Sequence, residues 1–255
     1  MSAFWAMTWN GFREARRNRV TTVVGAFALV SMLSTNMVTE VTVMTFDRVL
    51  NDFGLGMMAV LLVALSIYLS CGMLAQEIER RTIFLIVSRP ISRARFLLAR
   101  LAGNMLTLAI LMVAMAVIFF AELKFFGTDI TQPTLMAMAG LLVELLLLSA
   151  AGFFFSSISG QLVAAICTTS VYFAGHLSPD MVRITQNSKN EVSRLFGTVL
   201  YYVVPNLERV NFRPNAAYAA PVDYALFLNS VLYTSAYALG FIGLAIFFFE
   251  RRDFK

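Results

Sequence analysis

A lone carboxylate inside a long apolar run is the first feature with chemical consequences. Glu144 sits in GLLVELLLLS, with no other charged residue between Asp129 and Asp180. A carboxylate in such a setting costs several kcal/mol unless it is paired, protonated or turned toward a wet cavity. Glu144 is therefore expected either to line a solute path or to bond to a Ser, Thr or Gln on a neighbouring helix. The only histidine, His176, has no second His or Cys at ligand spacing. It is expected to be a satisfied polar residue at a helix end, and no metal site is expected. Cys71 and Cys167 lack partners at metal or disulfide-framework spacing and read as small packing residues.

These same residues argue against catalysis. Ser170 lies six residues before His176, which is not one helical face, so a serine nucleophile has no base. There is no H-E-x-x-H, and Glu144 has no second intramembrane acid for a two-carboxylate site. No G-x-x-x-x-G-K-[ST] loop is present to cradle a nucleotide. The chain is expected to have no catalytic residue and no cofactor of its own.

The elements that must hold Glu144 follow from composition. Hydrophobic residues make up 59% of the 255, charged residues 14%, and the mean hydropathy is +0.74. Those values separate the chain from soluble domains. Six apolar runs approach the length of about 20 residues that a helix needs to cross a bilayer. They occupy residues 20–38, 57–75, 101–121, 134–155, 161–177 and 229–249. The fifth is short and carries Thr168, Thr169 and Ser170, whose hydroxyls bond back to their own helix. The fold class is therefore an all-α integral membrane protein with six transmembrane helices, forming one transmembrane domain over residues 1–255.

Residues 1–19 are too aromatic for a cleaved leader. Phe4, Trp5, Trp9 and Phe12 precede Arg13, Arg16, Arg17 and Arg19, the pattern of a helix lying in the membrane interface. Thirteen of the twenty basic residues fall in residues 1–19, 76–100 and 250–255. The positive-inside rule thus places both termini in the cytoplasm. The formal charge of +5 is explained by this bias and by anionic lipid, so no nucleic-acid partner is implied.

Two loops are patterned rather than simple connectors. Residues 76–100 open with Glu77 and Glu79, turn apolar from Ile83 to Val87, break at Pro90 and resume as a basic amphipathic stretch. Two short helices around a bend are expected, lying on the membrane or in a groove of a soluble partner. Residues 178–228 face the opposite side. There Leu195, Phe196, Val199, Leu200, Tyr202 and Val203 form an apolar stripe before Pro205. This external helical segment, with Phe196, Tyr202, Pro205 and Glu208, is the expected gate or partner-docking surface.

The motif E-x-E-R-x-T-I-x-x-x-x-S-R-P-I-S-R-x-x-F-L-L-A-R resembles the cytoplasmic coupling loop that follows the second span of ABC-2 type transporter permeases. The opening FREARRNRV is similar to that family's N-terminal interfacial helix, in the branch associated with multicopper enzyme maturation. The resemblance implies that Glu77, Glu79, Arg81, Thr82, Pro90, Ser92, Arg93 and Phe96 meet a separate ATP-binding subunit. Arg81 stands where relatives more often carry Gly. It also implies two ATPase copies that bind ATP and Mg, a second permease copy in a homodimer or a closely related heterodimer, an inner-membrane location and export. A second use of such a complex is mechanical, with the external segment acting on a periplasmic partner instead of a cargo.

Overall fold

The computed structural model describes residues 3–17, 22–41, 45–79, 92–186 and 191–251. Arg81, Thr82 and Pro90 lie outside the described residues, as do the side chains of Glu77, Glu79 and Phe196. Every long element is a helix: α1 (Ala3–Arg17), α2 (Thr22–Val41), α3 (Phe46–Glu79), α4 (Arg93–Phe125), α5 (Gln132–Ile158), α6 (Gln161–Gln186), α7 (Glu191–Val203), the single turn α8 (Arg213–Ala217) and α9 (Tyr224–Arg251). Five of these, α3 to α6 and α9, are long and apolar enough to cross a membrane, and α2 adds a shorter apolar stretch over Thr22–Thr35. The protein is an all-α membrane protein with about six spans.

Two ends of the bundle differ in charge. The basic end carries α1, Ser92, the turn at Ser159 and Gly160, and Arg251, while the far end carries the connection at residues 126–131 and the segment after α7.

Most helices outrun the apolar runs that announce them. At about 1.5 Å per residue, the 34 residues of α3 extend roughly 50 Å, well beyond a hydrocarbon core of about 30 Å. Its polar start is absorbed by local pairing. Asn51 donates to the Asp47 carbonyl at 2.9 Å, and Thr128 donates to Asp47 Oδ1 at 2.6 Å from the connection after α4. At the other end of the molecule, α4 begins at Arg93 because Ser92 caps it, its hydroxyl accepting from Arg95 N–H. Residues 93–100 thus belong to the spanning helix, not to a separate loop helix.

That continuity changes the role of Phe96. It is buried against Leu97, Leu101, Phe153, Ala245 and Phe249, and its ring stacks on Phe249 with centroids 6.2 Å apart. Arg93 reaches the same place, donating to the Glu250 carbonyl at 2.9 Å and satisfying a free carbonyl at the end of α9. Phe96 therefore packs within the chain, while Ser92 stays exposed.

Helix α5 is the hub, as expected of a helix that is apolar on all sides. It is the most buried of the long helices, whereas α6 and α9 leave broad apolar faces uncovered. Small residues bring α3 onto it: a Cβ on Gly152 would stand 2.1 Å from Ser70 Oγ. Beside that contact runs a polar seam. Ser66 and Ser149 hydroxyls lie 2.9 Å apart, and Asn104 Nδ2 donates to Ser149 at 3.1 Å, joining α3, α4 and α5. Another carboxylate, Glu122 on α4, accepts hydrogen bonds from Ser31 and Thr35 on α2, the latter at 2.7 Å.

Helix α1 lies across the start of α4. Thr8 and Gly11 face inward while Trp5 and Trp9 are exposed, and Arg13 sits 5.8 Å over the Trp9 ring. The crossing is close because a Cβ on Gly103 would stand only 2.9 Å from the Thr8 carbonyl. Gly103→Ala is expected to loosen α1 at a cost of about 1 kcal/mol or slightly more. Faster amide hydrogen exchange over residues 3–17, with little change in α5, is the expected readout.

Candidate functional site

Helix α6 runs past the apolar stretch ending at Leu177 and continues through Pro179 to Gln186. Proline has no N–H and orphans the carbonyl four residues back. Here that carbonyl belongs to Gly175, and the Ser178 hydroxyl donates to it at 3.1 Å. The helix is kept whole just where His176 must be presented.

After α7 the chain does not stay outside the bundle. Pro205 to Val222 turn back into the far end, burying Leu207, Val210, Phe212, Ala216 and Val222. Irregular backbone at membrane depth is tolerated where protein encloses it. Two glycines provide the room. A Cβ on Gly140 of α5 would stand 2.3 Å from the Val210 carbonyl, and one on Gly175 of α6 would meet Leu207 at 2.7 Å and the Pro205 carbonyl at 2.8 Å. The turn Leu207–Val210 is capped by Asn206, whose side chain accepts from Glu208 N–H at 3.1 Å.

That turn delivers Glu208 to His176. His176 Nε2 lies 2.8 Å from Glu144 Oε1, and Nδ1 lies 3.0 Å from Glu208 Oε2. One imidazole thus joins three elements: α5, α6 and the re-entrant segment. Burial is graded across the row, the side chains being 2% exposed at Glu144, 17% at His176 and 44% at Glu208. Asn211 Nδ2 donates to both Glu208 oxygens at 3.0 and 3.1 Å, and Arg213 Nε donates to Asn211 Oδ1 at 2.7 Å. The Tyr172 ring meets the His176 ring edge-on at 4.8 Å, with Arg213 nearby.

The His176 ring holds Glu208 below the ordinary carboxylate range; partial burial opposes this and Asn211 reinforces it. A depressed folded-state value contributes stability above the ordinary value of 4.5, and that stability is lost as pH falls through the lower folded value. Acidification below about pH 4.5 is therefore expected to lower the unfolding temperature of the intact chain, and Glu208→Gln to flatten that acid limb.

The expected site residues separate into groups. Glu144 and Glu208, read from the sequence as a path residue and a gate residue, share one histidine. Pro205 is buried beside Gly175, while Tyr202 is exposed, with its carbonyl accepting from Tyr237 at 3.0 Å. Ser92 and Arg93 flank residues 80–91, and Phe96 lies inside the bundle. His176, read as a satisfied polar residue at a helix end, is the centre of the cluster. The signal for its contact with Glu144 was present: Glu144 lies 15 residues before Ser159 and His176 lies 16 after Gly160, so a tight antiparallel turn puts them at one depth. Glu208 carried no such signal, because a re-entrant path has no fixed periodicity.

Beside the cluster, an apolar cavity of about 570 Å³ opens between α6 and α9, lined by Phe155, Val171, Pro205, Tyr237, Phe241 and Leu244 among others.

The chain matches the family model described as ABC-2 family transporter protein over residues 5–254. A search of the curated proteins finds no match. A single-chain bundle of about six spans, matched along nearly its whole length, belongs to the ABC-2 transporter family and is a membrane permease subunit of an ABC transporter.

Proposed function

We propose that this permease works as an exporter in the bacterial inner membrane, with both termini cytoplasmic and ATP and Mg bound by two copies of a separate ATP-binding subunit. Permeases of this family generally work with such a subunit. A second copy of this chain completes the membrane half. The basic end is the cytoplasmic one, and residues 76–100 are the coupling element, with Glu77, Glu79, Arg81, Thr82, Pro90, Ser92 and Arg93 at the ATPase surface. Phe96 serves a different part, as the first packed residue behind that surface.

The observation that carries the reading is the anchorage of α4 where it leaves residues 80–91. Arg93 and Phe96 are fixed to the end of α9 through Glu250 and Phe249. A push on residues 80–91 is therefore passed to α4 and α9 together, and α4 packs on α1, α3 and α5. Packed interfaces respond by discrete repacking, not by bending continuously. The far-end segment, seated between α5 and α6, is the element such repacking releases.

The test is affinity copurification from nanodiscs of the wild-type chain and of Glu77→Lys/Glu79→Lys. A soluble ATPase is expected with the wild type and is expected to be lost from the still-folded double variant. Recovery of equal ATPase with both would remove the coupling assignment.

A second reading is favoured by α7. Leu195, Val199, Tyr202 and Val203 are 67%, 52%, 71% and 69% exposed, an apolar face suited to a periplasmic partner. In that case the complex transmits force to the partner without moving cargo. Val199→Asp/Tyr202→Asp would then release a copurifying periplasmic protein while ATPase capture persists.

A further inference from the structure

We propose that Glu144, His176 and Glu208 form a proton-linked latch, binding one more proton when the 205–222 segment is seated in the bundle than when it lifts away. The number of hydrogens in the cluster decides this. Both ring nitrogens face a carboxylate oxygen, at 2.8 and 3.0 Å. Each contact needs one hydrogen, since facing lone pairs at that distance repel. An imidazolium between two carboxylates provides two. A protonated Glu144 donating to Nε2, with Nδ1–H donating to Glu208, provides the same two. The seated cluster holds the same number either way.

Lifting the segment takes Glu208 with it. Nδ1 then faces water, which donates or accepts equally well, and only the contact with Glu144 still requires a hydrogen. The second proton is held less tightly, so lifting releases it. The titratable and charged groups around the ring, among the described residues, are Glu144 from α5, Tyr172 one turn back on α6, Glu208 from the re-entrant turn and Arg213 from α8. Arg213 leaves with the segment and acts in the opposite sense. It donates to Asn211, whereas Glu208 touches the ring itself. The Glu208 effect therefore dominates, and raising the pH favours the lifted state. Exposure increases from Glu144 through His176 to Glu208, so the proton exchanges with the far-end side.

This goes beyond the transport reading and does not depend on which protein meets residues 80–91. The test uses the full chain in nanodiscs with Cys71→Ala and Cys167→Ala. Val210→Cys reports on seating, because Val210 is 1% exposed and its carbonyl lies against Gly140. Its labelling rate by an impermeant maleimide is divided by that of Tyr224→Cys, 71% exposed, at each pH to cancel thiol ionisation. The ratio is expected to rise between about pH 6 and about pH 9, by up to about tenfold per unit at its steepest. His176→Gln is expected to flatten it, and Glu208→Gln to raise the ratio already at the acidic end. A flat wild-type ratio, or the same slope in His176→Gln, overturns the latch. If His176→Gln does not fold, the wild-type slope and the Glu208→Gln shift decide.

Discussion

Glu144→Leu is expected to destabilise the chain by about 3 kcal/mol or more, the cost of stripping one partner from a buried, hydrogen-bonded ionisable pair. Glu144 is almost wholly buried, and among the described residues its oxygen is the only carboxylate contact of His176 that comes from the bundle itself. Leucine fills the space but leaves Nε2 facing hydrocarbon without a partner. The ring is then held only by Glu208, which weakens the seat of the re-entrant segment. Glu144→Gln keeps a hydrogen bond to Nε2 and is expected to cost less, about 1–2 kcal/mol. Reversible unfolding in mixed micelles measures the difference. A Glu144→Leu chain within about 1 kcal/mol of wild type would show that the carboxylate contributes nothing to the contact between α5 and α6.

Gly140→Val is the second large effect. The atom it would meet first is the Val210 carbonyl, 2.3 Å from an ideal Cβ, with the Phe212 ring at 3.2 Å. Backbone cannot rotate away as a flexible side chain does, so the re-entrant turn must move. Overpacking of this kind costs about 1–3 kcal/mol. Gly175→Ala presses on the same turn through Leu207 and Pro205, so the two substitutions are expected to be non-additive. Gly243 is the control, since a Cβ there meets nothing within 4 Å. Gly243→Ala is expected to be neutral or stabilising by up to about 1 kcal/mol, through helix propensity. Amide exchange over residues 205–212 distinguishes the cases, rising sharply for Gly140→Val and not at all for Gly243→Ala. Unchanged protection in Gly140→Val would contradict the seating of the turn against α5.

How much of this was legible in the sequence varies with the physics behind each element. The spans were readable because crossing hydrocarbon demands an uninterrupted apolar run, as in α5 and α9. Their ends were not, because polar residues extend a helix when a neighbour satisfies them, as Thr128 satisfies Asp47 and Ser178 satisfies Gly175. The packing of Phe96 was not legible either: the resemblance implied a place at the ATPase surface, and its burial on Phe249 depends on where α9 ends. Glu144 stood out because one charge in an apolar run is costly; the depth of His176 was missed, although the short turn between α5 and α6 puts it level with Glu144. The approach of Glu208 depended on two glycines whose purpose becomes visible only when the backbone opposite them is known.

ATP on a partner subunit moving the spans of this chain is the central claim, and nucleotide-dependent seating of the far-end segment tests it most directly. The chain and the ATPase it captures would be reconstituted in nanodiscs, and the labelling ratio of Val210→Cys to Tyr224→Cys measured at constant pH with ADP, with ATP and Mg, and with ATP and Mg plus a trapping agent. The trapped state is expected to change the ratio severalfold, and Glu77→Lys/Glu79→Lys to abolish the change. An identical ratio in every nucleotide state, with the ATPase bound and hydrolysing, would contradict it.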